Sequence, residues 1–247
     1  MYVLKTKLYV VGIGPGNYEG LTVRAVNVLN ESDVIVGYTV YADLMKNYFP
    51  DKEWITTPMR KEKERCIMAL ERAESGKVIS VICSGDAGVY GMAGLVLELA
   101  NDYKNVDIEV VAGVTAASSG AAILGAPLMH DFCCISLSDR LTQWEKIAKR
   151  LNLAAEGDFV ICLYNPSSKT RADYLKRACD ILLNTLSSQT VCGVVKNIGR
   201  DGQTSEIMTL TELAHCDADM FTTVFIGNET TTADGMKMLT KRGYKIQ

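Results

Sequence analysis

Four short segments combine glycine with hydroxyl, carboxylate or amide side chains, and each follows an apolar run of strand-like composition. Gly12-Ile13-Gly14-Pro15-Gly16 follows Leu8–Val11, and Cys83-Ser84-Gly85-Asp86-Ala87-Gly88-Val89-Tyr90-Gly91 follows Val78–Ile82. Ala112-Gly113-Val114-Thr115-Ala116-Ala117-Ser118-Ser119 follows Ile108–Val111. Leu163-Tyr164-Asn165-Pro166-Ser167-Ser168 ends the run from Phe159, with Lys169, Thr170 and Arg171 opening the next helix. The chemistry such segments offer is ligand binding by the main chain. Glycine lets backbone approach a ligand closely, and N–H groups at a helix start receive its polar atoms, typically at the carboxyl ends of strands in an open α/β sheet.

The first segment is not a dinucleotide fingerprint. Pro15 and the longer run to Thr22, where a helix is expected, displace the helix N-terminus that pyrophosphate requires, and neither Asp33 nor Asp43 closes a second strand to hold a ribose. Taken alone it reads as a tight turn. In the second segment Asp86 reads either as the cap of a helix from Ala87 to Leu99 or as part of a ligand-binding loop, and Thr115 in the third reads either as an N-cap or as a ligand contact. No Ser-His-Asp constellation or carboxylate pair stands out. The eight cysteines form no Cys-x-x-Cys pair, and His130 and His215 are the only histidines, so no metal site is expected. Cys83, Cys162 and Cys192 lie in apolar runs and read as core thiols.

Two sheets are needed to position these segments. Strand-like runs recur at Leu8–Val11, Val34–Val36, Val78–Cys83 and Ile108–Val111, then at Phe132–Leu137, Phe159–Tyr164, Thr190–Lys196 and Thr222–Ile226. Helical spacing separates them: Lys61 to Ser75 held by Ile67 and Leu70, the stripe Met92/Leu95/Val96/Leu99, and Leu175/Ala178/Cys179/Leu182/Leu186. With 247 residues and 48% hydrophobic composition the chain can bury two cores. The expectation is an α/β protein of two domains, residues 1–126 and 127–247, meeting near Gly125-Ala126-Pro127 and sharing a cleft.

The stretch Val110 to Met129 carries no charge, but Gly113, Thr115, Ser118, Ser119, Gly120, Gly125 and Pro127 dilute it, so it predicts a buried strand and then a small-residue helix packed closely on a sheet. A net charge of −3 and the lack of a Lys/Arg run argue against nucleic acid or a membrane as partner. With the first apolar run so near Met1, no secretory signal is expected and the cytoplasm is the expected location.

In their order, the Gly-x-Gly-Pro-Gly opening, Ser84-Gly85-Asp86-Ala87-Gly88, Gly113-Val114-Thr115-Ala116 and Asn165-Pro166 resemble the tetrapyrrole-methylase family over essentially the whole chain. The resemblance implies a class III methyltransferase with two αβα domains, mixed sheets and a shared cleft, commonly a homodimer. It implies S-adenosyl-L-methionine as cofactor, leaving as S-adenosyl-L-homocysteine. By position the cofactor contacts would be Gly85, Asp86, Val89, Tyr90, Thr115, Ala116, Leu163 and Asn165, with Asn197 and Thr223 closing the pocket, while Gly14, Pro15 and Gly16 would face a tetrapyrrole substrate.

Within the family, Ser84–Gly91 and Ser136-Leu137-Ser138-Asp139-Arg140-Leu141-Thr142-Gln143-Trp144 resemble the branch that methylates precorrin-3B at carbon 17, with Gln143 where that pattern usually has proline. That branch adds ring contraction, which needs proton transfer. Asp86, His130, Ser138, Asp139 and Lys196 are the candidates, with Asp139 taken as the catalytic one. A substrate rich in carboxylates calls for arginine or lysine, and Arg140 is the first expectation ahead of Arg60, Lys61, Lys196 and Arg200. The alternatives are methylation of precorrin-4, precorrin-2 or uroporphyrinogen, and a non-catalytic dinucleotide sensor using Gly12–Gly16. Whether the substrate carries cobalt stays open.

Overall fold

Alternation along the first strand sets up a two-sided core. In β1 (Thr6–Gly12), Leu8 and Val10 face one side of the sheet and Tyr9 and Val11 the other. The computed structural model describes residues 6–168 and 170–245 and divides into two units, Met1–Ala116 and Ala117–Gln247. The first unit continues through α1 (Val23–Glu31), β2 (Val34–Tyr38), α2 (Thr39–Met45), β3 (Glu53–Thr57), α3 (Glu62–Glu74), β4 (Ile79–Cys83), α4 (Ala93–Leu99) and β5 (Val106–Val111). Its five strands are all parallel, in the order β3-β2-β4-β1-β5.

Cys66, Ala69 and Leu70 of α3 and Ala93 and Val96 of α4 pack on the Leu8/Val10 side, and Ala25, Val28 and Leu29 of α1 and Met45 of α2 pack on the Tyr9/Val11 side. Both faces are thus covered, which is why β4 is buried along its whole length, its one polar side chain, Ser80, hydrogen-bonded to Ser32 at 2.7 Å. The chain leaves β1 past β4 to reach β2, and leaves β4 past β1 to reach β5. The two connections therefore run in opposite directions on opposite faces of the sheet, α1 on one and α4 on the other, and the carboxyl ends of β1 and β4 form a topological switch point, where α/β sheets hold ligands.

Local signals set the helix limits. Thr22 caps α1 by accepting from the Ala25 N–H at 3.1 Å, as its position before the helix predicts. The helix expected from Ala87 starts only at Ala93, because residues 87–92 are taken up by a loop with a left-handed residue, Tyr90 (φ 55°).

The second unit comprises α5 (Ala116–Leu124, all but its first residue), β6 (Gly125–Ala126), β7 (Phe132–Ser136), α6 (Trp144–Glu156), β8 (Val160–Tyr164), α7 (Tyr174–Leu182), β9 (Val191–Lys196), β10 (Thr204–Thr209), α8 (Leu210–Leu213), β11 (Thr222–Ile226), β12 (Thr231–Ala233) and β13 (Met238–Thr240). Its main sheet has the order β10-β9-β11-β8-β7 and is mixed, with β7 and β8 parallel and β11 antiparallel to both β8 and β9. Helices α6, α7 and α8 cover one face around Ile147, Leu151, Leu163, Leu175 and Leu210.

Helix α5 packs on this sheet as closely as its composition predicts. A Cβ added at Gly120 would lie 2.9 Å from the Phe225 ring, and one at Gly193 would lie 2.5 Å from Leu124. No helix among the described residues is long and apolar enough to cross a membrane.

All eight cysteines are thiols, and Cys83, Cys162 and Cys192 are buried as expected. Burial pushes the thiols of Cys66 and Cys179 up to about 12 and those of Cys83 and Cys133 up to about 11. Cys134 is different: half-buried on β7 opposite Cys162 of β8, it is lowered by its hydrogen bond with that thiol. Since the thiolate is the nucleophile, iodoacetamide near neutral pH is expected to label native Cys134 first. Mass mapping that finds any other cysteine alkylated earlier, the similarly accessible Cys133 and Cys216 included, would contradict this.

Candidate active site

Three strand ends meet in the first unit as bare backbone. Gly12 at the end of β1 stands beside Cys83 at the end of β4, and the Gly14 and Gly85 main chains then exchange hydrogen bonds of 3.0 and 2.7 Å in an isolated antiparallel bridge. Gly113, just beyond β5, completes the contact. A Cβ there would sit 2.2 Å from the Gly85 oxygen, and one at Gly12 would sit 2.7 Å from the Gly113 nitrogen. Gly14 (φ 63°) and Gly85 (φ 68°) also occupy the left-handed region, where side chains are strained.

Asp86 does not cap α4. Its Oδ1 accepts from the N–H groups of Gly88 (2.8 Å) and Val89 (3.1 Å), and its Oδ2 accepts from the N–H of Gly113 (2.9 Å). The carboxylate thus fastens the second glycine segment to the third. Tyr90 is held left-handed, a strain that favours a functional reading, and Val89, Tyr90 and Val114 expose apolar surface. A Cβ added at Gly85 would touch only backbone, Thr115 Cα at 3.6 Å, Ala116 N at 3.7 Å and Val114 O at 3.9 Å, so its left-handed φ and not a clash is what calls for glycine. Thr115 stands directly before α5. Gly14-Pro15-Gly16 is backed by Gly20, whose N–H donates to the Asn17 side chain at 3.1 Å. This edge offers backbone and apolar surface, and its one carboxylate is spent on three N–H groups.

The second unit brings its candidates to one edge of the main sheet, where β7, β8 and β9 end and β11 begins. Ser136 pairs with Tyr164, Val224 with Leu163 and Thr222 with Lys196, which places Leu163, Asn165, Asn197 and Thr223 in one row. Asn165 and Asn197 both turn the chain with φ near 52°, a conformation Asn tolerates. The Leu163 side chain is fully buried in the core, leaving only its backbone for a ligand, and Thr223 is also buried.

Asp139 accepts a 2.6 Å hydrogen bond from the Tyr174 hydroxyl and lies 3.8 Å from Arg171 Nη1. The bond to Asp139 raises the Tyr174 hydroxyl above its usual range. Arg140 is exposed and makes no hydrogen bond or ion pair among the described residues. His130 precedes β7, at the opposite edge of the sheet, and its Nδ1 accepts from the Asp131 N–H at 3.0 Å. Arg171, which the sequence presents only as a helix-opening residue, is the arginine this edge organises. Its signal was a basic residue following a serine pair at a strand end. No group of three metal-ligating side chains occurs among the described residues.

A doubly wound sheet with glycine loops at its switch point, followed by a mixed α/β unit, is the architecture of α/β enzymes whose ligand sites lie at strand ends. The family model described as tetrapyrrole (corrin/porphyrin) methylases matches residues 7–214, and the chain belongs to that family. It is 47% identical over 240 residues to a probable cobalt-factor III C(17)-methyltransferase of Salmonella typhimurium, covering 97% of this chain and 100% of the relative. It is 40% identical over 228 residues to a precorrin-3B C(17)-methyltransferase of Sinorhizobium sp, covering 91% and 89% of the two chains. The crystal structure of the methyltransferase CobJ superposes with a TM-score of 0.88 at 33% identity over 96% of this chain and all of that one.

Proposed function

We propose that the protein methylates carbon 17 of cobalt-factor III or precorrin-3B and contracts the macrocycle, a step in cobalamin biosynthesis. The observation that carries this reading is the end-to-end likeness to C(17)-methyltransferases. When bound, S-adenosyl-L-methionine supplies an electrophilic methyl group.

What supports a cofactor in the first unit is that the segments around Gly85 and Gly113 present bare backbone at the strand ends and Asp86 fastens them to each other. Gly85, Asp86, Val89, Tyr90, Thr115 and Ala116 are its proposed contacts there, with Leu163, Asn165, Asn197 and Thr223 assigned from the second unit. Gly14, Pro15 and Gly16 are assigned to the tetrapyrrole, and Arg140 to one of its carboxylates. The chain's own contribution to methyl transfer is alignment and exclusion of water, worth roughly 7–11 kcal/mol in well-oriented reactions. The proposed working form is a cytoplasmic homodimer, checked by light scattering.

Anaerobic incubation with S-adenosyl-L-methionine and each macrocycle tests the activity. A product heavier by one methyl group, with a contracted ring by NMR, is expected from one of the two. Turnover of precorrin-4 or precorrin-2 with neither of these macrocycles accepted would overturn the assignment.

A further inference from the structure

Arg171 is held as a site arginine is held. Its side chain is 12% exposed; Nε donates to Ser168 Oγ at 3.0 Å and Nη1 donates to Ser138 Oγ at 2.6 Å. Ser138 is fixed in turn, since its N–H and the Asn165 amide both donate to Ser136 Oγ, at 3.3 and 3.0 Å. The carboxylate paired with it among the described residues, Asp139, stands 3.8 Å from Nη1, beyond hydrogen-bond length, and takes the Tyr174 hydroxyl at 2.6 Å instead.

Arg177 adds a second positive charge, stacked 4.0 Å from the Trp144 ring and 4.9 Å from that of Tyr174. Among the described residues, Asp139 is the only carboxylate that pairs with either guanidinium. Arg171 Nη2 makes no hydrogen bond among the described residues. A planar donor fork that is fixed on one side and open on the other matches a carboxylate in geometry and charge.

We propose that Arg171 binds a carboxylate of the macrocycle, and that Asp139 is a positioning residue that acts through it. This rests on the proposed function above, which supplies a substrate bearing acetate and propionate groups. The cofactor's α-carboxylate offers the same chemistry. Asp139 is thereby assigned to orientation: its two oxygens face Tyr174 and Arg171, and both help fix the fork.

The test uses the full-length enzyme with Arg171→Gln, Arg171→Lys and Asp139→Asn, each checked by thermal unfolding. Anaerobic titration with cobalt-factor III, without S-adenosyl-L-methionine, reads binding separately from turnover. Uroporphyrin, a second polycarboxylate, serves as probe if wild-type enzyme ignores cobalt-factor III, so that failure of the activity does not hide the subsite. Arg171→Gln is expected to weaken binding roughly 10- to 100-fold, the effect of losing charge-assisted hydrogen bonds. Arg171→Lys should recover part of the loss, and the methyl ester of the probe should bind wild type and Arg171→Gln alike.

Asp139→Asn should raise the macrocycle KM by less and still release contracted product. Equal binding of the free acid by wild type and folded Arg171→Gln would overturn the subsite. A fall in S-adenosyl-L-homocysteine affinity with macrocycle binding unmoved would give the fork to the cofactor and overturn the macrocycle assignment. Methylated but uncontracted product from Asp139→Asn would overturn its positioning role.

Discussion

Replacing Gly113 by alanine is expected to destabilise the protein by about 3 kcal/mol, although a glycine-to-alanine change at a compatible site usually helps. The new Cβ would lie 2.2 Å from the Gly85 oxygen and 2.6 Å from the Gly12 carbonyl carbon. Neither can step aside: Gly12 is registered against Cys83, and Gly85 is tied to Gly14 by two backbone hydrogen bonds. Any movement of Gly113 that relieves the clash also lengthens the 2.9 Å bond from its N–H to Asp86. Overpacking of this kind costs about 1–3 kcal/mol, and a weakened charge-assisted bond adds to it. Gly94 in α4 is the control, because an added Cβ there meets nothing within 4 Å, so Gly94→Ala should gain up to about 1 kcal/mol in helix propensity. Chemical denaturation of the two variants decides. If Gly113→Ala is as stable as the parent, the three strand ends are not in the contact described.

That contact was only half legible in the sequence. Each glycine announced a turn after a strand, because an apolar run followed by glycine has few other uses. Their meeting follows from the strand order, which brings β4, β1 and β5 side by side, and nothing local encodes that order. Asp86 illustrates the same limit. Asp near a helix start reads as a cap, whereas here one oxygen reaches Gly113 in a segment far along the chain. The strands that were missed have a different cause. Glu53 at the start of β3 pairs with Lys77 and Arg72, and Thr204, Ser205 and Glu206 of β10 are exposed, so these edge strands lack the apolar run that marked the central ones. Arg140 and Arg171 are of one type and each follows a serine-bearing strand end, so neither local pattern decides between them. What separates them is the row of Ser136, Ser138 and Ser168, assembled from two strand ends.

Asp86→Asn changes the volume of the site least and is expected to damage cofactor binding most. The carboxylate has three donors and no proton of its own to place: Oδ1 serves Gly88 and Val89, and Oδ2 serves Gly113. An asparagine oxygen can occupy only one of these positions, and the amide NH2 must face a backbone N–H at the other. If the oxygen stays with Gly88 and Val89, Gly113 loses its acceptor; if the amide flips, two N–H groups lose theirs. An unsatisfied donor costs about 1–3 kcal/mol, and opposing donors push the two segments apart. Asp86→Ala removes all three bonds but introduces no opposing donor, so asparagine should be no better than alanine despite its closer shape. With the second and third glycine segments no longer fastened, calorimetry should show S-adenosyl-L-homocysteine binding weakened roughly 10- to 100-fold in both variants, at about 1.4 kcal/mol per tenfold. Wild-type affinity in a folded Asp86→Asn enzyme would exclude the fastening role. Retained affinity together with lost turnover would instead place the Asp86 carboxylate against the macrocycle.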